Sequence, residues 1–336
     1  MTTSDGFRRL AYLAVGVTFL LVIVGGVVRI SDSGLGCGPE GAGTHGWPLC
    51  GGRVVPIVDT NMIIEYSHRI LATVLAITIG LLAFLARRRY RDNRPLVRVT
   101  TAAFVLVLFQ AALGGLTVEK GLKEELVAAH LGVAMLQIGL LILTAYLARA
   151  PADAGGSTRR LTSTPQVLRI LSIAATGAVL ATIVAGGYMS ASELKGTSEL
   201  SPGVHTACGN EFPSCGGEFM PIGRSRQLDI HLTHRAFMYI ASALVLALLA
   251  AALRLRKQVD PLLVKTAAAA TGVLLVQVLL GALNVWLGEH AWLIVIHLTV
   301  GTLLWSTLVL VSLIALRAPR RVVARAPKES AQAVPV

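Results

Sequence analysis

Residues 64–70 read IEYSHRI and residues 230–236 read IHLTHRA. Each run opens an apolar stretch of about 20 residues, the length that crosses a bilayer. Each also loads its first turns with ionisable side chains: Glu65, His68 and Arg69 in one, His231, His234 and Arg235 in the other. Lipid makes such groups costly, so their presence there marks a functional site. Their shared spacing indicates that the chain is written twice.

The 336 residues are 54% hydrophobic and only 14% charged, with a mean hydropathy of +0.69, which places the chain among membrane proteins rather than soluble globular ones. Apolar stretches near 9–29, 62–86, 98–118, 125–148, 166–189, 230–254, 263–287 and 291–316 predict an all-α integral membrane protein with eight transmembrane helices. The first stretch follows FRRL (7–10) and has the look of a signal peptide. No small-residue cleavage site follows it, however, and GGVVR (25–29) runs on into the next loop, so it is read as a helix.

A formal net charge of +12 would suit a nucleic-acid binder, but the basic residues sort by loop. On the side of Arg8, Arg9, the RRRYRDNR loop (87–94) and the RLRK loop (254–257) there are 21; the other side holds seven, Arg29, Arg53, Lys120, Lys123, Lys195, Arg224 and Arg226. That is the positive-inside bias of a multi-pass plasma-membrane protein with both termini cytoplasmic. The partner that the charge implies is the lipid bilayer, with no nucleic acid.

All four cysteines fall on the outer side, Cys37 and Cys50 after the first span, Cys208 and Cys215 after the fifth. An oxidising exterior favours one disulfide per loop. Zinc is the competing reading, since His45 and His205 lie nearby, but Cys-x12-Cys and Cys-x6-Cys are not the common zinc spacings.

The duplication runs through the chain. VGGVVR (24–29) matches AGGYMS (185–190), EYSHR (65–69) matches HLTHR (231–235), FQAALGGL (109–116) matches VQVLLGAL (276–283), and VAAHLGVAML (127–136) matches IVIHLTVGTL (294–303). The offset is 166 between His68 and His234, and 167 both between Gln110 and Gln277 and between His130 and His297. Four helices per half is an even number, so the halves enter the membrane in the same direction, as parallel repeats about its normal. The reading is an N-terminal four-helix bundle at 1–150, a cytoplasmic linker at 151–165 and a C-terminal four-helix bundle at 166–336.

His68, His130, His234 and His297 each lie one to two turns below the outer surface, at about 1.5 Å per residue, in one layer with two per bundle. A single membrane histidine is usually an interhelical hydrogen bond. Four at matched positions point instead to paired imidazoles holding haem iron axially. A metal-ion or proton pathway would add carboxylates along its route, and Glu65 is the obvious one within the spans.

Arg69, Arg235 and Arg29 suit haem propionates or snorkel to headgroups. Gly25, Gly26, Gly186 and Gly187 allow close approach of a helix or a flat macrocycle, and Gln110 and Gln277 suit bonds across helices. His45, His205 and His290 are read as plain surface residues of loops. The halves differ at Glu65, one turn from His68 on the same face, whose counterpart is His231. A carboxylate beside a haem is a candidate proton donor or acceptor. By subtraction, a permanent, electron-passing haem falls to the C-terminal bundle.

Two four-helix repeats, the motifs EYSHR, AAHLG, HLTHR and VIHLTVG, and the loop pattern SGLGCG (33–38) followed by WPLC (47–50) together resemble haem A synthase of the bacterial type over nearly the whole chain. The resemblance implies oxidation of the C8 methyl of haem O to a formyl group, giving haem A for terminal oxidases. It also implies that His68 and His130 flank the haem O substrate, that His234 and His297 ligate a haem b cofactor, and that Glu65 is catalytic. Cys37 and Cys50 match a loop pair implicated in family function, with longer spacing here; a purely structural disulfide is the alternative. The electron donor is left unnamed, and a haem O synthase is a candidate docking partner. Two histidines on one iron leave no open position for oxygen, so either one ligand moves or the oxidation proceeds without oxygen on that iron. The competing functions are a quinol-linked di-haem membrane electron carrier and a transporter of two parallel repeats.

Overall fold

The computed structural model describes residues 3–54, 59–149, 164–192, 204–288 and 290–316. Most of the expected 151–165 linker, Lys195 and the basic residues from Arg317 onward lie outside them. Among the described residues the chain forms eight long helices: α1 (Asp5–Ile30), α2 (Thr60–Arg89), α3 (Arg94–Glu119), α4 (Glu124–Ala148), α5 (Gln166–Ala191), α6 (Arg226–Arg254), α7 (Pro261–Trp286) and α8 (Ala291–Ala315). All eight are long and apolar enough to cross a membrane.

Several helices start before their apolar windows because polar caps set their ends. Ser4, Asp59, Asn93, Ser225 and Asp260 each accept a bond from a backbone N–H of the first turn, satisfying donors that the helix itself leaves unpaired. Pro95 and Pro261 stand in the first turns of α3 and α7, where the missing N–H costs nothing.

Helix α1 lies against α2 and α4, and α3 joins α2 to α4, so the first four helices enclose one another. The last four do the same through α5 with α6 and α8, and α7 with α6 and α8. Leu75, Ile79 and Leu82 of α2 pack with Leu96, Leu141 and Phe7 in one buried cluster; Leu168, Val245, Leu248, Leu263 and Leu308 anchor the other. Where the sets meet, α4 lies on α5 and α8, and α1 on α8.

That seam is reciprocal. A Cβ on Gly26 would come 2.8 Å from Leu298 Cδ2, and one on Gly187 would come 2.9 Å from Leu131 Cδ2. Leu131 and Leu298 directly follow His130 and His297, so the seam runs beside the histidine layer. Trp305 Nε1 donates to the Met135 carbonyl across it at 2.8 Å, and Arg226 pairs with Glu124 at 2.7 Å.

Substituting Gly187 tests this packing, because its Cβ would crowd Leu131 Cδ2 at 2.9 Å and already touch Ala128 Cα at 3.6 Å, so that the further methyls of valine meet backbone. Gly187→Val is expected to cost about 1–3 kcal/mol, read as a lower Tm in detergent. Gly177→Ala, on the same helix with nothing within 4 Å of the new Cβ, is expected to be neutral or slightly stabilising.

Candidate functional site

His68 and His234 each lie eight residues into α2 and α6, and His130 and His297 each six residues into α4 and α8. All four helices start at the cysteine-loop end, so the rings share one layer about two turns deep. His130 lies within electrostatic reach of His68, and His297 of His234. The pairing is therefore within each set of four helices.

One device positions every ring. A Cβ on Gly25 would stand 3.2 Å from His68 Cε1; on Gly114, 3.0 Å from His130 Cε1; on Gly186, 2.9 Å from His234 Cε1; and on Gly281, 3.1 Å from His297 Cε1. Each imidazole thus lies on the bare backbone of the preceding helix, at a distance that any larger residue would contest. Gly25 and Gly186 were expected close-approach positions. Gly114 and Gly281 were not, although they stand at matched places in FQAALGGL and VQVLLGAL.

Hydrogen bonding separates the rings. His234 Nδ1 lies 3.0 Å from the Thr182 carbonyl oxygen. A carbonyl only accepts, so Nδ1 carries the proton and Nε2 presents its lone pair, the arrangement that orients a metal-binding imidazole. The Nδ1 atoms of His68, His130 and His297 are buried with no partner. Gln110 Nε2 donates to the His130 carbonyl at 2.9 Å, and Gln277 Nε2 lies 3.2 Å from His297 Nε2. These are the interhelical bonds expected of the two amides. Each set thus holds two imidazoles from alternate helices in one layer, the donor type that a six-coordinate haem iron takes, and the Gln277 amide would have to release His297 Nε2 for that atom to bind iron.

The residues flanking the histidines hold the loops. Glu65 is 4% exposed; its Oε2 accepts from Cys37 N–H at 2.7 Å and its Oε1 pairs with Arg69. Arg69 Nη1 donates to the carbonyls of Gly46 and Leu49 at 2.7 and 2.9 Å. In the second set His231 Nδ1 donates to the Val204 carbonyl at 2.9 Å, and Arg235 donates to the carbonyls of Ser214 and Glu211, both at 2.9 Å. Arg29 Nη2 donates to the Ser190 carbonyl. All three arginines therefore hold backbone carbonyls, a role not expected from their positions in the chain.

Cys37–Cys50 and Cys208–Cys215 are disulfides, so those thiols are not free to bind zinc. Among the described residues no three His, Cys, Asp or Glu side chains gather as for a bare metal ion. In the second loop the Gly217 N–H, then the Ser214 hydroxyl, hold the Glu211 carboxyl below the usual carboxylate range. His205, expected to be a plain surface residue, is partly buried and lies within electrostatic reach of His231 and His234. Trp47 lies over Gly115, whose Cβ would stand 2.7 Å from its indole, and so covers the cysteine-loop end of α3.

These features define a multi-pass helical membrane protein with two pairs of intramembrane imidazoles. The chain belongs to the COX15-CtaA family, described as cytochrome oxidase assembly protein, whose family model matches residues 58–309. It is 28% identical over 302 residues to a heme A synthase of Halalkalibacterium halodurans, covering 89% of this chain and 93% of that one. It is 30% identical over 226 residues to a heme A synthase of Alkalihalophilus pseudofirmus (66% and 68%) and 26% identical over 244 residues to one of Shouchella clausii (72% and 75%).

Charged hydrogen bonds of the kind Arg235 makes are each worth about 1.5–3 kcal/mol. Arg235→Met is therefore expected to free the second loop. Limited proteolysis should cut faster within 204–225 while the helices stay intact; an unchanged cleavage rate would remove the anchoring role.

Proposed function

We propose that the protein is a haem A synthase, an oxidoreductase that converts the C8 methyl of haem O to a formyl group. Family membership and the names of the curated relatives support the activity. The matched histidine pairs support two haem positions, and the mismatch of Glu65 with His231 supports chemistry in one of them. That mismatch carries the reading: one frame built twice differs at the residue one turn from the ligand.

In this reading His68 and His130 flank haem O in the first four helices, and His234 and His297 hold haem b in the last four. The parallel-repeat arrangement of two bundles at 1–150 and 166–336 belongs to the same proposal. Haem b there would supply one-electron redox chemistry. The Thr182 carbonyl holds His234 by its Nδ1, an anchor that His68, His130 and His297 do not have. Taking the methyl to a formyl group is a four-electron oxidation that also adds an oxygen atom: CH3 and water give CHO, four protons and four electrons, the electrons passing to an external oxidant such as molecular oxygen. Glu65, held between Cys37 N–H and Arg69, is the carboxylate placed to move those protons between the substrate and the outer surface.

The basic-residue asymmetry supports both termini being cytoplasmic, with the disulfide loops outside, in a bacterial plasma membrane. A haem O synthase and a separate electron donor complete the proposed partners. Arg69, Arg235 and Arg29 lie at the loop-side end of the layer and are the residues that would pair with haem propionates there.

Expression in cells that make haem O but not haem A is expected to yield haem A on pigment extraction with mass analysis. Folded protein with haem O alone would reject the activity and leave a di-haem carrier. Glu65→Gln keeps a carbonyl for Cys37 N–H but cannot ionise. It is expected to retain both haems and to lose haem A formation by about 100-fold or more, the usual worth of a positioned proton-transfer group. Normal product from that variant would reassign Glu65 to loop anchoring alone.

A further inference from the structure

One buried polar group is used by nothing described so far. Gln137 of α4 is 2% exposed, and neither its Nε2 nor its Oε1 has a hydrogen-bond partner. A fully buried amide with no partner is rare in proteins and calls for a reason. Gln137 follows His130 by seven residues, so it lies on the same face of α4, two turns or about 10 Å deeper. Leu141 and Ala148 continue that stripe and pack into the core formed by the first four helices. The amide therefore shares the face of α4 that carries His130, in line with Leu141 and Ala148 of that core.

Its counterpart at the repeat offset is Leu304, buried in the cluster that the last four helices form with Val22, Met135 and Ile138. Seven residues below His68, the corresponding place on α2 is Leu75, also buried and apolar. Gln110 and Gln277 occur in both sets and bond at the histidines themselves. Gln137 is thus a polar group specific to the first set, at a depth where its neighbours are apolar.

We propose that Gln137 recognises the hydroxyl of the hydroxyethylfarnesyl substituent of haem O and so selects that haem over haem b. The inference rests on the synthase reading above. A haem between His68 and His130 keeps its charged propionates toward the aqueous surface, because charge is costly in the bilayer interior. The opposite edge then points to the depth of Gln137. Haem b carries a vinyl group on that edge, with nothing to offer an amide; haem O carries a hydroxyl, which both donates and accepts, as an amide does. A site built to bond a hydroxyl discriminates against the analogue that lacks it, because its buried polar group is left unpaired. Leu304 in the other set suits a haem with only apolar groups on that edge.

The test uses the full chain, expressed in cells that contain both haem b and haem O, with the pigments of the purified protein extracted and weighed against each other. Gln137→Leu installs the residue found at 304, and Gln137→Met keeps the length without the amide. In both variants farnesylated haem (haem O plus haem A) is expected to fall about fivefold relative to haem b, the worth of one neutral hydrogen bond. The Tm should be unchanged or raised, since a buried unpaired amide is gone. A merely structural amide would not move this ratio. Unchanged ratios, beside a wild-type protein that takes up haem O, overturn the inference alone. A wild-type protein carrying only haem b contradicts the synthase reading and the inference with it.

Discussion

The structure depends on the contact of an imidazole ring with a glycine of the neighbouring helix, made four times in one layer. Gly25, Gly114, Gly186 and Gly281 leave bare backbone where His68, His130, His234 and His297 lie, each with Cε1 within 3.2 Å of where a Cβ would stand. This contact couples α1 to α2, α3 to α4, α5 to α6 and α7 to α8. It limits ring orientation by shape, while three of the four rings have no hydrogen-bond partner at Nδ1. In lipid, where hydrophobic burial does little to join helices, such close packing over small residues is the main adhesive.

Upon this repeated frame the two sets share a second device and differ in a few places. In both, the residue one turn before the first histidine and the arginine just after it hold a disulfide loop by its backbone. The differences are Glu65 against His231, Gln137 against Leu304, and the Thr182 carbonyl bond that His234 alone makes. Glu65 places a carboxylate and Gln137 an unpartnered amide among the first four helices, and the Thr182 bond holds one imidazole among the last four.

Much of this was legible in the sequence because membrane spans are set by length and composition, and repeats by offset. The eight helices fall where the apolar windows put them, lengthened by caps such as Ser4 and Ser225. The histidines stood out because ionisable groups are rare in lipid. What was not legible depends on the rotation of one helix against another. Gly114 and Gly281 lie in stretches where small residues are common, so nothing marked them as ring-bearing. The loop contacts of Arg69 and Arg235 join residues about 20 apart through an irregular chain path. Gln137 is one polar residue in an apolar run, and its isolation shows only when its lack of partners is known.

The most direct test of the account is the number of haems per purified chain in the four single His→Ala variants, followed by low-temperature EPR of the ferric protein. The account predicts two low-spin bis-imidazole signals in the wild type. One signal should be lost in either the His68 or the His130 variant, and the other in either the His234 or the His297 variant. A colourless wild-type protein, or loss of the same signal from variants in different sets, would contradict it.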